Sequence, residues 1–414
     1  MTSAGRGRLH ATDDRSRHRN SARILPELRR RRGGRHLPIY VDWASGVAED
    51  EAVLRLLLDL PRPKRQANLL FGAARHLGAG EGDYAQLRTW LLEHWDETRS
   101  LMLARSTQTN EAGRCAVLLP ALAQINGPIS LIEVGASAGL CLYPDRYSYT
   151  YRTVAVPGEN VSIADGESGA GGSGTGGSGA GESGAGESGA KESDPAEHGT
   201  GKHGTAHLDP ADGPSTVHLD PVDGPSTVDL ECTLTGTAPP TRLPGVVWRA
   251  GIDLNPLDVT DPEDRAWLRS LIWPEHTVRR DRLDAAAAIA AADPPRLVTG
   301  DLVAGVESLI AEAPADSQVV VFHSAVLAYV DPPHRAAFAD LMRSRDDVVW
   351  VSNEGERVLP EIGDQLRDLG IERAGGRFVL AVDGIATALT GPHGPSYESL
   401  QSCEGLRTPL PQAP

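Results

Sequence analysis

Apolar positions along the chain follow two regimes. Between residues 37 and 124 they recur at helical spacing. The segment 47–60 carries Val53, Leu54, Leu56, Leu57 and Leu58 and stops at Pro61. The segment 65–77 carries Leu69, Leu70, Phe71 and Leu77, and 84–104 carries Leu87, Trp90, Leu91, Trp95, Leu101 and Met102. With 109–124 they predict a bundle of amphipathic helices. From 129 onward, short apolar runs alternate with helical patterns. Strands are predicted at 129–134, 246–252, 296–299, 318–323 and 348–352, with strand-like runs at 143–156 and 228–234. Helices are predicted over 261–273, 279–292, 302–313, 332–343 and 360–369. Asp261-Pro262-Glu263 opens the first of these with an N-cap, a proline at the first helical position and an acid in the first turn. Runs at 377–382 and 385–390 flank Asp383-Gly384, a two-residue hairpin signal. The alternation predicts a mostly parallel sheet covered on both faces.

Composition changes this picture in three places. Residues 165–190 are Gly, Ser, Ala and Glu in short repeats, and 207–217 and 218–228 read HLDPADGPSTV and HLDPVDGPSTV, a tandem duplication. Such a segment buries too little apolar surface to offset its ordering entropy, so 159–227 is expected to be a disordered insertion. His207 and His218 invite a metal reading, but duplication explains them more simply, and no metal is expected. Residues 1–35 hold 11 Arg and three acids, and are expected to be a disordered tail. Of the net charge of −16, the tail supplies +8 and the remainder −24. An acidic body argues against nucleic acid as partner of the main domain. The expected organisation is then a tail at 1–35, a helical N-terminal domain at 36–125, an α/β domain at 126–158 and 228–400 around the insertion, and a C-terminal tail at 401–414. Cys115, Cys141, Cys232 and Cys403 are far apart with no C-x-x-C pair, which predicts reduced thiols and a cytoplasmic protein. No apolar run is long enough to span a bilayer, and no hydrophobic stretch follows the charged N-terminus as in a secretory signal.

Candidate chemistry centres on 129–142, ISLIEVGASAGLCL. A strand, a small-residue turn with Gly135, Ser137 and Gly139, and a predicted helix start would form a cradle in which backbone N–H groups face a ligand. Three readings are open. E-V-G-x-S-x-G resembles the glycine loop of class I S-adenosylmethionine-dependent methyltransferases. G-A-S-A-G matches the nucleophile elbow of α/β-hydrolases, with Ser137 as nucleophile, although that elbow usually follows several strands. In the third reading the small residues only pack the backbone closely. Three acids, Glu133, Asp253 and Asp301, fall at the ends of the first three predicted strands, where ligands of open α/β sheets bind. The resemblance to methyltransferases implies that Asp253 takes the ribose hydroxyls, Asp301 the adenine amino group, and Glu133 the methionine end or the loop itself. It also implies a Rossmann-like α/β sheet closed by a C-terminal antiparallel hairpin, S-adenosylmethionine as cofactor, and a small-molecule acceptor.

The fourth strand leads into VVFHSAVLAYVDP, which is similar to the post-strand segment of small-molecule methyltransferases; the N-P-P-Y signature of amino-group methyltransferases is absent. His323 at that strand end is a candidate general base or pocket wall. Asn353 and Glu354 at the end of the fifth strand are candidates to face the same cleft. A hydrolase would need His323 or His393 as base. In TQTNEAGRC, Asn110, Glu111 and Arg114 either cap the following helix, the favoured reading, or reach over the glycine loop.

At finer grain, TQTNEAGRC, IEVGASAGLCLYPDRY, VVWRAGIDLNPLDV, LIWPEH, VVFHSAVLAYVDPP, WVSNEG and TGPHG together resemble a bacterial family common in actinobacteria, domain of unknown function family 2332. The resemblance spans about 38–400, interrupted by the Gly/Ser-rich insertion, and implies no activity. The expected function is methyl transfer from S-adenosylmethionine. A non-catalytic nucleotide-binding or structural Rossmann module and a serine hydrolase using Ser137 are the alternatives.

Overall fold

The computed structural model describes residues 39–108, 110–154, 206–208 and 216–400. The Arg-rich tail, the Gly/Ser run at 165–190 and the C-terminal tail lie outside the described residues. Six helices come first: α1 (Ile39–Glu49), α2 (Glu51–Leu58), α3 (Ala67–His76), α4 (Tyr84–Glu93), α5 (Trp95–Ala104) and α6 (Cys115–Leu122). Their starts are local chemistry. Asp50 accepts the N–H groups of Ala52 and Val53 to open α2, and Asp83 with Gln86 forms a capping box on α4. The helix predicted over 84–104 is two helices, because the backbone turns at His94, which ends α4 and begins α5. Tyr40, Trp43 and Phe71 from α1 and α3 pack ring against ring. They share one apolar core with Leu131, Leu140, Trp267 and Ala286, so the helices form a layer on one sheet face.

The sheet has 12 strands: β1 (Pro128–Val134), β2 (Ser148–Val154), β3 (Ala206–Leu208), β4 (Thr216–Leu219), β5 (Asp229–Thr235), β6 (Gly245–Asp253), β7 (Arg296–Thr299), β8 (Gln318–Ser324), β9 (Val348–Gly355), β10 (Phe378–Val382), β11 (Ile385–Thr390) and β12 (Ser396–Ser399). Their order is β3-β4-β2-β5-β12-β11-β10-β9-β8-β1-β6-β7. The run β7-β6-β1-β8-β9 is wholly parallel. Helices α7 (Pro262–Leu271) and α8 (Thr277–Ala292) join β6 to β7, α9 (Leu302–Glu312) joins β7 to β8, and α10 (Pro332–Arg343) joins β8 to β9. Helix α11 (Pro360–Asp368) then leads to β10, which is antiparallel to β9 and to β11. Strand β1 is buried on both faces. Ile129 and Leu131 enter the core under the N-terminal helices, while Ile132 and Val134 enter a second core with Phe338 and Trp350. Neighbours are added to β1 on opposite sides, β6 on one and β8 on the other, and it is beyond the carboxyl ends at such a switch in strand order that open α/β sheets bind ligands. Among the described residues no helix is long and apolar enough to cross a membrane.

Two expectations are corrected. The first concerns the far half of the sheet. Beyond the hairpin it continues through β12, β5 and β2 to β4 and β3, so part of the predicted disordered insertion is strand. The reason is alternation hidden inside the repeat. Val217 and Leu219 lie two apart, both buried, and pair in register with Tyr151 and Tyr149 of β2. The second concerns the residues after the glycine turn. No α-helix follows; Leu140–Leu142 make a single 3-10 turn. The chain is drawn instead across the sheet by large buried residues, Tyr143 and Tyr147, and by Asp145, which pairs with Arg249 of β6 at 2.7 Å.

Candidate functional site

The glycine turn leaves β1 through three left-handed residues, Gly135 (φ 73°), Ser137 (φ 53°) and Gly139 (φ 71°). Its N–H groups are caught from within the protein. Gly135 and Ala136 donate to the carbonyl of Ile252 (2.8 and 3.2 Å), Gly139 to that of Ala136 (2.7 Å), and Leu140 to Asn110 Oδ1 (3.1 Å). Ser137 N–H donates to Asp253 Oδ2 at 2.8 Å, and Asn255 N–H to Asp253 Oδ1 at 2.8 Å. A turn whose donors are used in this way, with no helix behind it, is not a phosphate cradle, and that expectation is corrected. Asp253 braces the turn from the neighbouring strand. A side chain at Gly135 would strike Val326, 2.2 Å from the Cβ position, so the glycine is needed for close approach. The Ser137 hydroxyl is buried and has no hydrogen-bond partner among the described residues.

The segment before α6 forms a roof. Gln108 donates to the carbonyl of Asn255 (2.7 Å), and Asn110 accepts from Leu140, so the reach over the glycine turn is realised. Glu111 does cap, accepting from Gly113 N–H at 3.2 Å, and also gathers two guanidinium groups from α8: Arg279 Nε at 2.5 Å and Arg282 Nε at 3.0 Å. Burial raises the Glu111 carboxyl, but Arg282 and Arg279 outweigh it and hold it below the usual carboxylate range. His393 Nδ1 lies 3.8 Å from Glu111 Oε2. Arg114 turns inward and donates to the carbonyls of Ser324 (2.8 Å) and Pro392 (3.2 Å) over the ring of Phe378.

The floor is a buried network at the ends of β8 and β9. Trp350 Nε1 donates to His323 Nε2 at 3.1 Å, and an indole N–H can only donate. His323 therefore carries its proton on Nδ1 and donates it to Glu354 Oε1 at 2.8 Å. Neither nitrogen is left to take a proton from a ligand. Glu354 Oε1 also accepts from Val326 and Leu327 N–H (both 3.0 Å), fixing the turn after β8 in which Ala325 is left-handed (φ 56°). Asn353 donates to Ser324 Oγ (3.0 Å) and accepts from Thr390 Oγ1 (2.7 Å). On β1, Glu133 is buried, with Oε2 lacking any partner. Burial, with the thiol of Cys141 close by, pushes its carboxyl well above the usual range.

The fold thus brings Glu133, Gly135, Ser137, Gly139, Asp253, His323, Asn353 and Glu354 to one end of the sheet. Asp301 stands apart. It is exposed beyond the edge strand β7 and caps α9, accepting from Val303 and Ala304 N–H. Sequence reasoning missed Arg279, Arg282 and Gln108. A signal existed for the arginines, since VRRDRLD opens a helix that is otherwise mostly alanine. Of the buried side-chain atoms without partners, Gln108 Oε1, Glu133 Oε2, Ser137 Oγ, Glu354 Oε2 and His393 Nδ1 all belong to residues of this crevice.

These features define an α/β protein with a cluster of buried polar residues at the carboxyl ends of its parallel strands. The chain belongs to a family of uncharacterised proteins conserved in bacteria, DUF2332, whose model matches residues 29–173 and 215–398, about four-fifths of the sequence. The unmatched 174–214 holds much of the Gly/Ser run and most of the first repeat copy. No curated protein and no solved structure matches the chain.

Proposed function

We propose that the crevice binds S-adenosylmethionine and that the protein transfers its methyl group to a small molecule. The observation that carries this reading is the glycine turn held against Asp253 at the point where the strand order reverses, with Ser137 N–H 2.8 Å from the carboxylate. The parallel order β7-β6-β1-β8-β9, with β10 antiparallel beside it, supports a Rossmann-like reading. Orphaned polar atoms on Glu133 and Ser137 suit a ligand rich in hydrogen-bonding groups. In this reading Asp253 faces the ribose and Glu133 with Gly135, Ser137 and Gly139 the amino-acid end, while Asp301, spent on capping α9, takes no part. When bound, the sulfonium supplies the activated methyl group. The protein's part is proximity and alignment within a water-poor crevice. His323 and Glu354, committed to each other, and Asn353, committed to Ser324 and Thr390, hold the shape of the acceptor wall. Calorimetric titration of the full chain with S-adenosylmethionine and S-adenosylhomocysteine tests the proposal. Micromolar binding, about −8 kcal/mol, is expected. Absence of heat and of thermal shift at millimolar ligand would overturn it.

One observation favours a second reading. Ser137 has a left-handed backbone inside G-A-S-A-G, the strained geometry of a nucleophile elbow. With both His323 nitrogens engaged, His393 is then the base to test. Covalent labelling of Ser137 by a fluorophosphonate supports this reading, and its absence removes it.

A further inference from the structure

Arg114 is a buried guanidinium without a counter-charge. The residue is 6% exposed, and its contacts are two main-chain carbonyls and the ring of Phe378. Among the described residues no carboxylate lies within ion-pair distance of it. Glu111, three residues earlier, is taken by Arg279 and Arg282. Glu133 feels the Arg114 charge but makes no ion pair with it. Leaving a buried charge unpaired is costly, so such groups are normally matched to an acid or held for a ligand. Here the surroundings favour the second case. Arg114 reaches the end of β8 through Ser324, in the same crevice as the unpartnered Glu133 Oε2 and Ser137 Oγ. Two further guanidinium groups stand nearby, both paired with Glu111. Arg279 and Arg282 keep about a fifth of their side-chain surface exposed, and His393, 43% exposed, sits beside them. This basic corner lies within a body of net charge −24, so it is not a by-product of composition.

We propose that Arg114 is the seat of a ligand carboxylate, entering past Arg279, Arg282 and His393 and paired with the guanidinium between β1 and β8. A guanidinium fork matches a carboxylate in geometry, and an anion there supplies the missing counter-charge. The carboxylate belongs to the amino-acid end of the cofactor or to the methyl acceptor. The first source rests on the function proposed above; the second does not.

The test titrates the full chain and its Arg114→Gln and Arg114→Lys variants with S-adenosylmethionine and with its decarboxylated analogue. A parallel arm follows thermal shifts with acetate, benzoate and succinate against acetamide, benzamide and succinamide at fixed ionic strength. If the cofactor supplies the carboxylate, removing it weakens binding roughly tenfold or more, and Arg114→Gln abolishes the difference. If the acceptor supplies it, the two cofactor forms bind alike, while small carboxylates stabilise the native chain more than their amides do and fail to do so in Arg114→Gln. Carboxylate stabilisation that depends on Arg114, without any cofactor binding, removes the methyltransferase reading and keeps this one. If the native chain neither prefers S-adenosylmethionine to its decarboxylated analogue nor any small carboxylate to its amide, the proposal is overturned. The unliganded variants give a separate readout. A charge held for a ligand predicts that Arg114→Gln melts no lower than the native chain. A clear drop that Arg114→Lys does not show would assign Arg114 to the scaffold instead.

Discussion

Two buried polar regions of this protein are built on opposite terms. Around β2, four tyrosines, Tyr143, Tyr147, Tyr149 and Tyr151, are at most 1% exposed. Each hydroxyl donates to a main-chain carbonyl, of Asp293, Leu140, Pro144 and Ala116 respectively, at 2.6–2.7 Å. At the carboxyl ends of β1 and β9, Glu133, Ser137 and Glu354 are nearly as buried, yet each keeps an atom with no partner. A satisfied buried hydroxyl contributes to stability, whereas an orphaned one costs its desolvation. The tyrosine region is thus scaffold, and the crevice has the character of a site whose partner is a ligand.

The largest expected effect is on the scaffold side. Tyr151→Ala should cost about 3–5 kcal/mol in urea unfolding, as for other large buried aromatic truncations. Tyr151→Phe should cost about 1–2 kcal/mol, because only the bond to Ala116 is lost. A near-neutral Tyr151→Ala would break the comparison. Next comes Glu354→Ala, which strands His323 Nδ1–H and the N–H groups of Val326 and Leu327, and should cost about 3 kcal/mol in the same assay. Glu354 Oε1 serves the scaffold, while its Oε2 keeps no partner among the described residues.

The pH dependence sharpens the contrast further. Burial raises the Glu133 carboxyl, so the folded chain keeps a proton that the unfolded chain loses above about pH 4.5. Its contribution makes stability fall as pH rises from that point. His393 has the opposite sign. Burial, then Arg279, lowers it to about 4 from 6.5, so the unfolded chain takes the proton first and stability falls as pH drops from 6.5 toward 4. The two slopes oppose each other from pH 4.5 upward, that of His393 acting below 6.5. The fall in melting temperature as pH rises above about 4.5 should therefore be smaller in Glu133→Gln. In His393→Gln the acid-side rise should vanish, a smaller effect because this side chain is well exposed. An unchanged profile in Glu133→Gln would mean that the crevice acid is already paid for within the fold.

The smallest expected effect tests the edge of the scaffold. Residues 205–215 and 216–226 read TAHLDPADGPS and TVHLDPVDGPS, and the family match resumes at 215, so the second copy is the shared element. It supplies β4, which pairs with β2; the described residues of the first copy supply β3, which pairs with β4. Deleting 205–215 should shift the melting temperature by no more than about 2 °C. A large loss would show that the duplicated strand has become part of the core.

What the sequence determined by itself is what depends on a few neighbouring residues. Asp261, Asp301 and Asp331 cap α7, α9 and α10, and the strands and helices from β6 to β11 lie within a few residues of the pattern that predicts them. The turn at Asp383-Gly384 joins β10 and β11 as its two left-handed residues require. The gathering of crevice residues was legible from acids at strand ends, because a parallel sheet aligns all its carboxyl ends. Tertiary structure alone decided the rest. It set β5 between β2 and β12, turned repeat residues into β4, and replaced a helix after Gly139 with a tyrosine-led crossing. It also engaged both nitrogens of His323 and left Arg114 without an acid. Arg114 meets carbonyls 210 and 278 residues away, and His323 a carboxylate 31 away. Such partners are chosen by how whole layers pack, and no local period or cap carries that information.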